Sequence, residues 1–84
     1  MTRDEALLQA IQSDLPDYHR RRMAQRQGEQ MQALMAERAK ATPDTALIDQ
    51  LRKAMVQTER DKRDISITVR EVLEPLRAKV EGRS

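Results

Sequence analysis

Apolar residues recur at alternating spacings of three and four through the second half of the chain, and this spacing predicts a long helix. Positions spaced in this way are heptad a and d sites, which lie along one side of a helix and face a neighbouring helix. We therefore predict a coiled-coil-like helix over about residues 43–80. Its seam consists of Ile48, Leu51, Met55, Thr58, Lys62, Ile65, Val69, Val72 and Leu76.

The middle of this seam is polar, because Thr58 and Lys62 occupy it. A buried polar residue in such a seam lowers stability but selects the register and the partner. The other interpretation is that the helix separates from its neighbour there and that both side chains face water. Near the end of the seam, Pro75 is expected to kink the helix or to end it near Glu74.

A competing interpretation applies to ISITVR, Ile65 to Arg70, which alternates apolar and polar residues and is rich in β-branched side chains. That pattern is typical of a β-strand, and a strand followed by a helix would be similar to ribbon-helix-helix repressors. The repressor fold needs two helices after the strand, and only fourteen residues follow Arg70. Because the same residues also fit the seam, we favour the helix.

The beginning of the chain predicts a first helix over about residues 3–14. Thr2 and Glu5 have the spacing of a capping box, in which the Thr hydroxyl accepts from the Glu amide. Apolar residues follow at helical spacing. The packing face that they form consists of Leu7, Leu8, Ile11 and Leu15.

Pro16 interrupts this helix, since proline lacks an amide donor and disfavours helical geometry in the residue before it. Either the helix kinks, or it stops and a second helix begins with Asp14 as its cap and Pro16 in its first turn. We prefer the break, with a second helix over about residues 16–40. Gly28 weakens that helix by roughly 1 kcal/mol relative to Ala. Its apolar residues are sparse, namely Met23, Met31, Leu34 and Met35.

The segment KATPDTAL predicts a turn at residues 41–43 and the start of the long helix. Thr42 is suited to the cap, and Pro43 is suited to the first helical position. Asp44 would lie beside the positive end of the helix dipole.

Composition limits how much of this chain can be buried. The 84 residues form a single domain, residues 1–84, with sixteen Leu, Ile and Val, no Phe or Trp, and Tyr18 as the one aromatic residue. A helix over residues 43–80 would extend roughly 57 Å, and such a rod cannot wrap itself into a globule. We predict an all-α hairpin of two or three helices whose core is completed by self-association or by a partner.

No enzymatic chemistry is indicated. The chain has no cysteine, so thiolate and disulfide chemistry are excluded, and it contains no phosphate-binding or nucleophile motif. His19 has no partner at the spacing of a metal site, which favours an exposed, idle side chain. A thin hairpin also offers no cleft for a pair of carboxylates. We therefore expect no catalytic, cofactor-binding or metal-binding residues, and no small-molecule substrate.

The clearest charged feature is YHRRRMAQR, which contains Arg20, Arg21, Arg22 and Arg26. Clustered guanidiniums gain affinity for phosphates through counterion release, so binding of nucleic acid or of an acidic partner is one interpretation. On a helix, however, only Arg22 and Arg26 of the four share a face. A solvated helix surface explains the run about as well.

From KATPDTALIDQL onward, the chain resembles the small helical hairpins of type III secretion systems. The shared features are a proline-marked turn near the middle and a long C-terminal helix. Needle subunits and their small chaperones are similar in length and outline. The sequence departs from the needle pattern in lacking aromatic residues in its first helix and in carrying Arg20 to Arg22. The resemblance implies self-assembly or capture of a partner helix, without catalysis.

Two functions follow as expectations. The first is a non-enzymatic protein–protein interaction module that binds a partner helix or a second copy through its seam, as a chaperone, adaptor, inhibitor or secretion-apparatus component. The second is a small basic regulator that binds nucleic acid.

The N-terminus lacks the apolar run of a signal peptide, which predicts synthesis and residence in the cytoplasm, although leaderless secretion leaves no such mark. No stretch is apolar enough to predict a membrane span.

Overall fold

The computed structural model describes residues 1–82 and contains helices and turns but no β-strand in that range. The all-α prediction is confirmed, and the strand interpretation of Ile65 to Arg70 is wrong. In chain order the elements are α1 (Arg3–Ser13), α2 (Leu15–Arg38), α3 (Thr45–Asp61), α4 (Ser66–Thr68), the π-helical turn (Val69–Leu73) and α5 (Glu74–Gly82). The π-helical turn joins α4 to α5, and we call these three elements together the C-terminal segment (66–82).

The first helix begins as its capping residues predict and is separated from the second by one residue. The Glu5 amide donates to Thr2 Oγ1 at 3.2 Å. At Asp14 the backbone leaves the helical region, with φ −133° and ψ 36°, so the chain breaks there and Pro16 falls in the first turn of α2. The Asp14 side chain does not cap α2, because it accepts instead from Arg21 Nη2 at 3.2 Å.

The turn between α2 and α3 is longer than predicted, and Thr42 is not the cap. Asp44 caps α3: its Oδ1 accepts from the amides of Ala46 and Leu47 at 3.0 and 3.1 Å. One carboxylate oxygen thus satisfies two of the free amides that every helix start exposes. The Asp44 amide in turn donates to Glu37 Oε1 at 2.9 Å, which ties the two ends of the turn together.

The prediction of one helix over residues 43–80 is wrong, because α3 ends at Asp61. A turn over residues 62–65 follows, in which Asp64 Oδ1 accepts from both the amide and the hydroxyl of Ser66, at 3.1 and 2.5 Å. Asp and Ser side chains compete with the helix for backbone hydrogen bonds, and β-branched Ile65 adds little helix propensity. The turn therefore forms although the apolar spacing continues across it.

Pro75 neither ends the C-terminal segment nor leaves it a regular α-helix. The turn before it is π-helical, and the Glu74 amide donates to the carbonyl of Val69, five residues earlier. In a regular α-helix the Pro75 ring would press on the carbonyl of Glu71. A wider turn relieves that clash, so the helix continues to Gly82.

The chain folds back on itself in two places. Helices α2 and α3 form an antiparallel hairpin, and the C-terminal segment packs against α1. The main apolar cluster therefore lies at one end of the molecule, which measures 54 × 24 × 15 Å. It consists of buried Ile11, Leu73 and Leu76, with Leu8, Leu15, Tyr18, Val69 and Val72 packed around them. A continuous helix over residues 43–80 would be too long to fold back on itself, but the turn at residues 62–65 lets the chain do so.

Glu37 fastens the hairpin turn. Its side chain is buried, accepts from the Asp44 amide and forms a 2.7 Å ion pair with Lys40 Nζ. The Lys40 ammonium, and after it the Asp44 amide, hold the pKa of the Glu37 carboxyl below its usual value. A carboxyl whose pKa is lowered by folding stabilises the folded chain at pH values above its usual pKa. This stabilisation is lost as the pH falls through the lowered pKa.

Replacing Glu37 by Gln should therefore lower stability most at neutral pH. We expect the difference in urea midpoint between wild type and Glu37→Gln to be largest near neutrality and to shrink in acid, below the usual glutamate value of about 4.3. Glu29→Gln is the control, since Glu29 is an exposed residue of α2 that accepts from the Gln25 side chain. A difference between wild type and Glu37→Gln that did not change with pH would contradict this role.

Gly28 offers a second test of the α2 structure. A methyl group added at this exposed position would meet no atom within 4 Å. Gly28→Ala should therefore raise the free energy of unfolding by about 1 kcal/mol, because alanine loses less backbone entropy in a helix. Urea titration monitored by circular dichroism measures the change, and a destabilised variant would show that the residue is not in an open helical position.

Candidate functional site

The predicted arginine patch does not form one surface. Arg20 and Arg21 are exposed, and each pairs with an acid at the start of α2: Arg20 Nη1 lies 3.0 Å from Asp17 Oδ1, and Arg21 Nη2 lies 3.2 Å from Asp14 Oδ2. Exposed pairs of this kind contribute about 0–1 kcal/mol each. Their main effect here is to offset the positive charge of the run.

Arg22 and Arg26 point instead toward the C-terminal segment and the end of α3. Their Nη2 atoms each lie 3.4 Å from Glu71 Oε1, and Arg26 Nη1 lies 3.6 Å from Asp61 Oδ2. These two arginines are the pair that helical spacing places on one face. They join three parts of the chain, which gives them a structural role.

His19 is buried, so the prediction of an exposed, idle side chain is wrong. Its Nε2 lies 2.9 Å from the Asp61 carbonyl oxygen and 3.2 Å from that of Lys62. Its Nδ1 lies 2.5 Å from Thr68 Oγ1, and the same oxygen accepts from Arg22 Nη1 at 3.0 Å. We call His19, Arg22 and Thr68 the polar cluster. It joins α2 to the carboxyl end of α3 and to the start of the C-terminal segment.

The partners of the polar cluster fix the direction of its hydrogen bonds. Carbonyl oxygens only accept, so His19 Nε2 carries a proton, and in the neutral imidazole Nδ1 then accepts from the Thr68 hydroxyl. A histidine beside a hydroxyl is also the arrangement of an activated nucleophile. Here, however, the exposed fractions of His19 and Thr68 are 4% and 0%, and both ring nitrogens of His19 are engaged within the fold. The cluster is therefore a structural tie.

A second set of polar contacts sets the register of the hairpin. Gln27 Nε2 donates to Glu59 Oε1 at 2.5 Å, and Gln30 Nε2 donates to Thr58 Oγ1 at 2.9 Å. Thr58 in turn donates to the carbonyl oxygen of Ala54 at 3.0 Å. Of the two interpretations of the polar seam, Thr58 follows the first, since it is buried and hydrogen-bonded, whereas Lys62 is exposed at the turn.

The Gln27–Glu59 hydrogen bond identifies one side of the hairpin, and apolar residues line that side. At about 100° per residue, Met31 and Met35 lie within about 80° of Gln27 around α2, and Ile48 and Met55 lie within about 40° of Glu59 around α3. We call Met31, Met35, Ile48 and Met55 the methionine face. Met31 and Met35 are 45% and 63% exposed, while Ile48 and Met55 are half-buried.

A shallow groove continues this surface toward the hairpin turn. Ile48 lines it together with Thr45 and Ala46, and Arg38 and Arg52 stand on its sides. Asp49 also lines the groove and lies 3.9 Å from Lys53 Nζ. Within residues 1–82 neither Arg38 nor Arg52 has an ion pair.

The predicted partner-binding seam is divided by the turn after Asp61. Ile48, Leu51 and Met55 are half-buried along α3, and Ile65 is exposed in the turn. Leu76 belongs to the apolar cluster that contains Ile11 of α1, and Val69 and Val72 pack against that cluster, so α1 covers this half of the seam. Of the predicted packing face of α1, Ile11 is buried, Leu8 and Leu15 are half-buried, and Leu7 is exposed.

Sequence reasoning did not single out Leu73, Thr68 or Glu37, all of which are buried. Thr68 and Leu73 are five positions apart. Side chains at this spacing point in different directions on an α-helix but in similar directions across a π-helical turn. Pro75 was the available signal for that turn. The signal for Glu37 was its place near the end of α2, one turn before a proline-marked loop.

Neither a metal site nor a membrane span is present in the part of the chain that the structure describes. No group of three His, Asp or Glu residues within it is placed to hold a metal ion, and none of its helices has the length and hydropathy needed to cross a bilayer. Comparisons with protein-family models, curated proteins and solved structures found no match. The resemblance to type III secretion hairpins therefore stays a prediction. Part of its basis is removed, because the long C-terminal helix on which it rests is interrupted at residues 62–65.

The polar cluster predicts a large effect for a small substitution. Thr68→Val keeps the shape and β-branching of the side chain but leaves His19 Nδ1 and Arg22 without the hydroxyl. Loss of a buried partner of this kind should cost about 1–3 kcal/mol of unfolding free energy, measured by urea titration. The same substitution at exposed Thr42 should change stability by no more than about 0.5 kcal/mol. Equal effects at the two positions would show that the cluster does not hold the helices together.

Proposed function

We propose that this chain is a non-enzymatic protein–protein interaction module whose methionine face binds a helix of another protein or of a second copy. The observation that carries the proposal is the exposure of Met31 and Met35 in a chain with very few buried apolar residues. Within residues 1–82 the buried apolar side chains are Ile11, Met23, Leu34, Leu73 and Leu76. A folded chain this poor in core has a physical reason to cover an apolar face with a partner.

The overall shape supports the same proposal. The radius of gyration is 16.7 Å, whereas a compact domain of this length has about 12 Å. The accessible surface is 6156 Å², whereas a compact monomer of this mass exposes about 5,100 Å². The excess belongs to a hairpin that extends away from the apolar cluster with two helices side by side and no third helix across them.

Two antiparallel helices with apolar residues on one side supply most of a three-helix bundle. A third helix can pack along the groove between them, because side-chain ridges of one helix fit between those of its neighbours. Methionine suits such a surface, since its unbranched thioether adapts to partners of different shape. Met23, by contrast, is fully buried and serves as an ordinary filler of the core.

The alternative, binding of nucleic acid through the arginine run, has weaker support. Each of its four guanidiniums has a carboxylate partner within 3.6 Å, and two of them are directed inward. Counterion release requires cations that are available to phosphates. The four residues concerned are Arg20, Arg21, Arg22 and Arg26.

A pair of substitutions tests the proposal. Met35→Glu places a charge on the methionine face, and Gln50→Glu places the same charge on the side of α3 opposite to Glu59, where Gln50 is exposed. Neither change removes a buried side chain, so both variants should fold. Met35→Glu should weaken self-association or partner binding at least tenfold, as expected for a desolvated contact, and Gln50→Glu should not.

Sedimentation equilibrium over a wide concentration range measures self-association, and quantitative capture with mass identification measures binding of other proteins. Circular dichroism and urea titration check that both variants remain folded. A wild-type chain that stays monomeric with no captured protein would contradict the proposal. Equal loss of binding in Met35→Glu and Gln50→Glu would also contradict it, because the methionine face would then have no special role.

A further inference from the structure

Two arginines at the end of the methionine face have charges that the described fold does not use. Arg38, in the last turn of α2, and Arg52, in the second turn of α3, flank the same shallow groove. Within the described residues they form no ion pair, in contrast to the four arginines of the Arg20–Arg26 run. Guanidiniums on opposite sides of a groove are well placed to bind carboxylates between them.

The acids nearest to this groove already have partners. Asp44 Oδ1 accepts from the amides of Ala46 and Leu47, and Asp49 Oδ2 lies 3.9 Å from Lys53 Nζ. The groove also opens at the first turn of α3, where the helix dipole favours negative charge. An incoming carboxylate would therefore meet two uncommitted cations beside the apolar floor formed by Ile48.

Charge along the rest of this side of the hairpin also discriminates between partners. At the opposite end of the face, Arg20 lies within about 40° of Gln27 around α2, and Arg63 of the turn lines the same depression as Arg20. Glu59, the acid at the centre, is occupied by Gln27 and by Lys62 Nζ at 3.2 Å. A second copy laid on this face would bring arginines against arginines, and like charges at an interface are unfavourable.

We infer that the occupant of the methionine face is an acidic amphipathic helix of another protein. Its apolar stripe packs on Met31, Met35 and Met55, and carboxylates that flank this stripe lie between Arg38 and Arg52. This inference rests on the proposed function and adds to it the chemical class of the partner. It also explains why the face combines adaptable apolar side chains with a basic edge: the methionines give affinity and the arginines give selectivity.

The probe is a library of displayed three-heptad peptides with one fixed apolar stripe and randomised flanking positions. Peptides selected on the wild-type chain should be enriched in Asp and Glu at the flanks. Fluorescence anisotropy then gives their affinity for the wild type, for Met35→Glu, for the double variant Arg38→Gln/Arg52→Gln, and for Arg60→Gln/Arg70→Gln as the matched control, since both of these arginines are exposed and lie outside the methionine face. The Arg38/Arg52 variant should bind at least tenfold more weakly, with a shallower dependence on salt, and the control should bind nearly as well as wild type.

Other outcomes would overturn the inference in distinguishable ways. Selected peptides with neutral or basic flanks that still depend on Met35 would exclude an acidic partner but leave the proposed function intact, as would a homodimer disrupted by Met35→Glu. Binding to duplex DNA or to anionic vesicles that is lost in Arg38→Gln/Arg52→Gln, without binding of acidic peptides, would assign the two arginines to phosphate groups. Failure to select any helical peptide that depends on Met35 would overturn the inference and remove support from the proposed function as well.

Discussion

The imidazole of His19 bonds to two carbonyl oxygens at the end of α3 and to the Thr68 hydroxyl at the start of the C-terminal segment. Helix ends carry backbone carbonyls without partners, and burying them is unfavourable unless something donates to them. His19 supplies such a donor to the Lys62 carbonyl and adds one to the Asp61 carbonyl, which also accepts from the Asp64 amide at 3.0 Å. The turn after Asp61 can therefore be packed against α2, and the C-terminal segment can return to cover α1 instead of extending the hairpin.

This arrangement explains why the molecule has two dissimilar ends. Around the polar cluster, α1 and the C-terminal segment bury Ile11, Leu73 and Leu76, and all of the main apolar cluster lies there. Toward the turn, α2 and α3 are held by Gln27, Gln30 and Glu37 through hydrogen bonds, so few apolar side chains are needed between them. Polar contacts along the hairpin leave its methionines available on one side. The main apolar cluster and the proposed binding face therefore lie in different parts of the same short chain.

Local rules predicted much of the fold. Capping and proline chemistry located the start of α1 and the break before α2, and apolar spacing identified the helical faces. The errors arose where a distant residue determines a local structure. The seam runs through Lys62 and Ile65 without a slip, and it is the return of the chain to His19, more than forty positions away, that makes a turn there favourable. The methionine face was predictable only in part, because Met31 and Met35 could equally have filled a core. Which side of the hairpin stays open depends on where the C-terminal segment lies.

The separations in sequence between the contacting residues imply an order of folding. The tie from Glu37 to Asp44 spans 7 positions, those from Gln30 to Thr58 and Gln27 to Glu59 span 28 and 32, and that from His19 to Thr68 spans 49. Each contact shortens the loop that the next must close, and closing a loop already shortened costs little additional entropy. The hairpin can therefore close progressively from its turn, with α1 docking last. In that order, the side of the hairpin that carries Met31 and Met35 forms before the apolar cluster around Ile11 is complete.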